Sequence, residues 1–221
     1  MSRIVLKVGG AVAADAAAPA LALAESHEVC VVHGAGPQIS AELARAGLEV
    51  RFVDGRRVTT GAALEIVRAS LAAVNARVCA AIGPLAVPLF GDEIGLAAEH
   101  LPELGLVGSA LPSRPAAVEA ALAEGLVPVV APLAAGPLNV NADDAAAALA
   151  VGLGAEKLLF VTDVPGLLLG GAVRSSIRVE EAQLLLDAGA LGGGIVPKLR
   201  AAVEAVRGGV DAEIGATAVL A

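Results

Sequence analysis

Residues 3–8, RIVLKV, and residues 28–32, EVCVV, are short apolar, β-branched runs separated by an alanine-rich stretch, and a helical pattern over residues 38–46 follows the second until Gly47 ends it. Runs of this length alternating with helical stretches predict strands buried on both faces of a parallel sheet, joined by crossover helices. The rhythm continues. Residues 125–133, GLVPVVAPL, and residues 157–162, KLLFVT, read as further strands. Leu64, Val67, Leu71, Val74 and Val78 recur at spacings of three and four, which places them on one helical face that covers the sheet. Pro115 opens another helix, as its fixed φ allows in a first turn. Helices are also expected over residues 143–153, over residues 179–188, and from Lys198 to the Gly208–Gly209 pair. Residues 85–107, with Gly91 and Gly105, predict a β-hairpin excursion.

The chain has 221 residues, 57% of them hydrophobic, enough for one large core and too apolar for disorder. Gly, Pro or a charge interrupts every apolar stretch before the roughly 18 residues that a spanning helix needs. The N-terminus enters a strand pattern at once, without a basic region and small-residue cleavage site, so a cytoplasmic protein is expected. Fifteen basic against 23 acidic side chains give a net charge of -8, and aromatics make up 1% of residues. Neither phosphate tracking nor base stacking has its residues, which argues against nucleic acid. Cys30 and Cys79 fall in strand-like and helix-like runs without metal-ligand spacing and read as reduced core residues. His27 and His100 read as loop residues.

Polar punctuation marks the candidate chemistry. In LNVNADDAAAALA, residues 138–150, Asn139, Asn141 and Asp143 stand at the mouth of an alanine-rich helix, where buried polar groups need partners. Asp143 and Asp144 both fall in the first turn, which favours negative charge. Helix capping suffices for Asp144, whereas Asp143, with the two asparagines beside it, reads as part of a ligand site. Lys7 in KVGG and Lys198 in GGGIVPK lie beside glycines whose exposed N–H groups suit an anion. Thr162 and Asp163 close a strand at the edge where ligands of open α/β sheets collect. In HGAGPQ, residues 33–38, the backbone after His33 can approach an anion at a helix N-terminus, but Ile39 replaces the third glycine of a dinucleotide fingerprint. Arg56 and Arg57, after the Gly55 turn, offer guanidinium forks that suit a carboxylate, although an exposed arginine pair can equally be just solvated.

KVGG at Lys7, HGAGPQ at His33, GRRVT at Gly55, NVNADDAA at Asn139, TDVPGL at Thr162 and GGIVPK at Gly193 together resemble the amino acid kinase family, in order and over nearly the whole chain. The resemblance is strongest to the branch acting on N-acetylglutamate. It implies a three-layer αβα sandwich around a mostly parallel open sheet, one kinase domain over residues 1–221. An amino-acid-substrate lobe would span residues 1–133 and a nucleotide lobe residues 134–221. The implied reaction is ATP-dependent phosphorylation of the side-chain carboxylate of N-acetyl-L-glutamate to an acyl phosphate, a step of arginine biosynthesis, with Mg2+ accompanying ATP and no protein metal ligands. A kinase for a carrier-linked aminoadipate and a nonenzymatic nucleotide-binding member of the fold are the alternatives.

Carried over position by position, Lys7 and Lys198 would neutralise the transferring phosphoryl group and Asp143 would hold both. Gly34, Ala35, Gly36, Arg57 and Asn139 would bind the acidic substrate. Gly9, Gly10, Thr162, Asp163, Gly193 and Gly194 would serve the nucleotide phosphates. The stretch after Gly166, LLLGGAVRSS, is shorter and less polar than the family's hairpin near the nucleotide. Arginine-inhibited members carry a helix before the first strand, and here Met1 and Ser2 precede it. The expectation is a homodimer, paired through the apolar helix over residues 61–82, whose activity does not respond to arginine.

Overall fold

A computed structural model describes residues 1–9, 17–162 and 164–221. The chain begins with β1 (Arg3–Val8), α1 (Ala17–Ala24), β2 (Glu28–His33) and α2 (Gly36–Arg45). A small ribbon, β3 (Phe52–Val53) and β4 (Arg56–Arg57), precedes the long α3 (Gly61–Ile82). Then come β5 (Ala86–Phe90), β6 (Ala98–His100), β7 (Val107–Ala110), α4 (Ala116–Ala123), β8 (Val127–Ala131), β9 (Leu133–Ala134) and β10 (Leu138–Val140). The remainder is α5 (Ala142–Gly152), β11 (Lys157–Val161), β12 (Leu168–Leu169), β13 (Ala172–Val173), β14 (Ser176–Arg178), α6 (Val179–Asp187), α7 (Ile195–Arg207), β15 (Asp211–Ile214) and β16 (Thr217–Leu220).

Among the described residues the main sheet has eight strands in the order β14-β16-β15-β11-β1-β2-β8-β5. Its strands run parallel except where β16 lies antiparallel to β15, and β14 follows β16. β1 and β2 sit near the middle and bury nearly every residue, which is why they read as continuous apolar runs. The pleat sends alternate side chains to two cores. Val5, Cys30, Val32 and Val130 face the core under α4 to α7, and Leu6, Val29, Val31 and Val129 face the core under α1 to α3. The result is the expected three-layer sandwich. Leu64, Val67, Leu71, Val74 and Val78 are all buried, as the periodicity of α3 requires. Thr60 starts that helix by accepting the Ala63 N–H at 3.2 Å.

Residues 85–107 divide differently from the expected excursion. β5 joins the main sheet beside β8, and only β6 and β7 form the hairpin, which extends through β10 and β9 into a four-stranded sheet. Thr59 bridges to Gly105 at its rim, where a Cβ on Gly105 would lie 2.3 Å from the Thr59 carbonyl oxygen and φ is 84°. Glycine alone fits that approach. His100 lies in β6, with Nε2 2.8 Å from the Gly105 carbonyl, and is therefore a strand residue rather than a loop residue. Cys30 and Cys79 are both free thiols. No helix among the described residues is long and apolar enough to cross a membrane.

Candidate active site

Parallel strands deliver their C-terminal ends to one edge, and the polar motifs converge there. Lys7 is the penultimate residue of β1, flanked in register by Val32 of β2 and Phe160 of β11. The residue is 4% exposed, so its buried ammonium needs a counter-charge. Asp143, in the first turn of α5, supplies it at 2.7 Å from Oδ1. The other carboxylate oxygen of Asp143 lies 3.6 Å from Lys198 Nζ, which comes from the first turns of α7. Burial pushes the Lys7 amine below the ordinary lysine range, the charge of Asp143 opposes that shift, and the charge of Lys198 reinforces it. Two cations thus share one carboxylate, leaving net positive charge for an anionic ligand.

The cavity beside this cluster measures about 420 Å³. Three helices begin at its wall: α2 at Gly36, α5 at Ala142 and α7 at Ile195. Their unsatisfied N–H groups favour anions. Asn141 spends its Oδ1 on one of these termini, accepting from the N–H groups of Asp143 at 2.8 Å and Asp144 at 3.4 Å. Its Nδ2 donates to the Gly55 carbonyl at 3.2 Å. Asn141 is therefore the cap of α5, a role the sequence suggested for Asp144. Asp144 instead pairs with Arg56, Oδ2 to Nη2 at 2.8 Å, so Arg56 is not a merely solvated arginine.

Arg57 also lines the cavity. It is 6% exposed, Nη2 donates to the Gly36 carbonyl at 3.1 Å and to Ser40 Oγ at 2.8 Å, and the guanidinium sits 4.5 Å from the centre of the Phe52 ring. Its Nη1 has no protein partner among the described residues. A buried donor left without an acceptor suits a ligand carboxylate. Asn139, on β10, donates from Nδ2 to Thr59 Oγ1 at 3.0 Å, and Thr59 in turn donates to the Arg57 carbonyl at 2.8 Å. GRRVT and NVNAD are thereby joined into one wall, with Thr59 as a link that no residue-by-residue reading singled out.

His33 ends β2, one residue before Gly34 of the cavity lining, and is fully buried. Its Nε2 is 3.1 Å from Asn75 Nδ2, which also donates to the Val129 carbonyl at 2.8 Å. Burial first, and the Lys7 charge after it, hold the imidazole down to about 4, so it is neutral at pH 7. Asn75 could have been found as the lone amide on the buried face of α3.

Gly9, Gly34, Ala35, Gly36, Thr162 and Gly194 all line the cavity with Lys7, Asp143 and Lys198. Gly193, at φ 67°, leads into Gly194 at the start of α7 but does not line it. Gly10 and Asp163 lie outside the described residues. Among the described residues no group of three or more His, Cys, Asp and Glu side chains could hold a metal ion, and Asp143 is already committed to two lysines.

A parallel αβα sandwich with two lysines, a shared aspartate and helix N-termini around an anion cavity defines a small-molecule phosphotransferase, and the chain belongs to the amino acid kinase family, whose model matches residues 2–215. An acetylglutamate kinase from Rubrobacter xylanophilus is 42% identical over 224 residues, covering 97% of this chain and 88% of the relative. One from Pelotomaculum thermopropionicum is 38% identical over 81% of this chain and 70% of the relative. Among solved structures, smu.665 from Streptococcus mutans superposes with a TM-score of 0.87 at 27% identity, covering 99% of this chain and 98% of that one. Carbamate kinase from Giardia lamblia bound to AMP-PNP, at 15% identity and a TM-score of 0.71 over 99% of this chain and 98% of its own, shares the fold.

Proposed function

We propose that the chain is an acetylglutamate kinase, transferring the γ-phosphoryl group of ATP to the side-chain carboxylate of N-acetyl-L-glutamate in arginine biosynthesis. The observation that carries this reading is the buried Lys7–Asp143–Lys198 cluster, which lines one cavity with Arg57, whose Nη1 is unpartnered among the described residues. The relatives named acetylglutamate kinase add support over most of the chain. Residues 1–133 contribute most of the acid-binding wall, with Asn139 added from β10, and residues 134–221 contribute the nucleotide side.

The acceptor carboxylate, with a pKa of about 4.3, is ionised at neutral pH and needs no general base. One of its oxygens forms a bond to the γ-phosphorus as the bond from phosphorus to the β–γ bridging oxygen breaks, and ADP leaves with that electron pair. No proton moves. The barrier is the approach of like charges, about 4 kcal/mol per pair of unit charges 4 Å apart at an effective dielectric of 20. Lys7, Lys198 and the N–H groups at the helix termini offset it, doing so most where charge spreads over the transferring group. Asp143 keeps the two ammonium groups from repelling one another apart. Arg57 and Asn139 hold the acid. Mg2+ accompanying ATP would supply further neutralisation of phosphate charge, beside the ammonium groups of Lys7 and Lys198.

Trapping the acyl phosphate with hydroxylamine, in the presence of MgATP and a panel of acidic amino-acid derivatives, tests the assignment. N-acetylglutamate is expected to give the highest kcat/KM. A preference for a carrier-linked aminoadipate, or no hydroxamate with any acid, would reject it.

The assembly proposed is a homodimer. The outer face of α3 exposes Ala62, Ala69, Ala73, Ala76 and Ala80, small side chains that let a second α3 approach closely, and β5 lies at the edge of the main sheet beside it. A two-fold axis through α3 makes that face self-complementary.

A further inference from the structure

β3 and β4 form a two-stranded ribbon that pairs with no other strand among the described residues. Such a ribbon is marginal alone, so its position depends on what ties it down. Its turn is Asp54, at φ 48°, and Gly55, at φ 78°, the left-handed pair that a two-residue hairpin demands. The ties of the turn side lead to the N-terminal ends of α5 and α7 and, more weakly, to β7, where Ser109 Oγ accepts from Arg56 Nη2 at 3.4 Å. Arg56 pairs with Asp144, Asn141 Nδ2 donates to the Gly55 carbonyl, and Arg200 Nη1 donates to the Asp54 carbonyl at 3.3 Å.

Those two helix ends also carry Asp143 and Lys198. Consecutive carboxylates on α5 therefore divide their work: Asp143 takes the phosphoryl-side lysines and Asp144 takes the arginine of the acid-side ribbon. On α7, Lys198 and Arg200 divide in the same way. Arg56 and Arg57 both line the cavity, and Arg57 is held there by Gly36 and Ser40.

We infer that Arg56 and Arg200 are positioning residues that couple the acid-binding ribbon to the helices bearing Asp143 and Lys198, so that ordering either side orders the other. The assignment of acid and nucleotide to the two sides rests on the kinase reading above. A ligand that fixes Arg57 fixes the ribbon, and through Asp144 and Asp54 the ribbon restrains the first turns of α5 and α7. The coupling is reciprocal by thermodynamic necessity.

Calorimetric titration with N-acetylglutamate, with and without a nonhydrolysable MgATP analogue, reads this directly in wild type, Arg56→Gln and Arg200→Gln. The analogue is expected to tighten acid binding about tenfold in wild type and no more than about twofold in either variant. Equal coupling in all three proteins, or none in wild type, overturns the inference. A purely structural role would weaken acid binding without changing that ratio. Amide exchange of the ligand-free protein supplies an arm independent of substrate identity. Arg200→Gln should speed exchange of the Val58 amide, bonded to the Arg51 carbonyl at the base of the ribbon, together with the first turn of α7. Unchanged exchange at both places overturns the inference. Failure of wild type to bind N-acetylglutamate rejects the kinase assignment instead, and the coupling is then decided by exchange. Should Arg56→Gln not fold, Arg200→Gln carries both arms, because its bond is to a turn carbonyl outside the core.

Discussion

Lys7 Nζ lies 2.7 Å from Asp143 Oδ1, although one residue sits in the first strand and the other begins a helix far along the chain. Removing one partner of a buried pair leaves the other uncompensated, so the consequences differ by member. Lys7→Ala and Lys198→Ala should each lower kcat by two to three orders of magnitude, about 3 kcal/mol of transition-state stabilisation, with the fold intact. Asp143→Asn should lower kcat comparably and also reduce stability, since two ammonium groups then face each other without their shared counter-charge. Steady-state kinetics and circular dichroism check all three. Lysine variants within a few-fold of wild type would show that neither ammonium acts on the phosphoryl group.

Arg57 presents a planar fork whose Nη2 is already used by Gly36 and Ser40. Arg57→Lys keeps the charge and loses the fork, so the KM of the acid should rise by one to two orders of magnitude while that of ATP changes little. Equal changes in both would make Arg57 a structural residue. Arg56 is tied to Asp144 rather than merely solvated, so Arg56→Lys should raise the acid KM measurably, though less than Arg57→Lys.

His33 gives a pH signature. Its folded value is about 4, and its unfolded value is about 6.5. Between these, the unfolded chain binds a proton that the folded chain refuses, so stability is lost as pH falls through this window and recovered as pH rises. At about 1.36 kcal/mol per unit, wild type should lose roughly 2 kcal/mol between pH 7 and pH 5 through this residue. Urea unfolding at the two pH values should show a smaller loss for His33→Gln. Parallel losses would mean that the imidazole is not the group responsible.

The α3 interface predicts a mass near twice 21.6 kDa by light scattering at micromolar concentration. Ala73→Glu, on the exposed face of α3, should yield a monomer by placing like charges across the two-fold axis. A monomeric wild type, or a dimer indifferent to Ala73→Glu, rejects α3 as the contact.

The strands and helices were legible because periodicity is local: the burial of Val5 and Leu6 on opposite faces, or of Leu64 and Val67 on one, follows from spacing alone. The motifs also named Lys7, Asp143, Lys198, Arg57 and Asn139, which share one cavity. Partnerships were less legible. Nothing local says that Asn141 caps α5 while Asp144 reaches Arg56, because both residues suit a helix N-terminus equally well. The neutral state of His33 likewise depends on the depth of β2 and on the charge of Lys7, neither of which is visible at the HGAG motif itself.

The central place of β1 has a consequence for how the protein is made. Ile4 to Val8 are made before both of their neighbours and can pair first with β2, but their other neighbour is β11, beginning at Lys157. Pairings between such distant segments close large loops and form slowly. Until then one edge of β1 stays open, exposing unpaired backbone that invites association with other chains. The lysine at its end acquires its counter-charge only when α5 docks, so a nascent chain can bury neither Lys7 nor Asp143 alone. Synthesis of the first half therefore yields a sheet with an open flank and an unfinished charge cluster, and completion of that cluster coincides with closure of the flank.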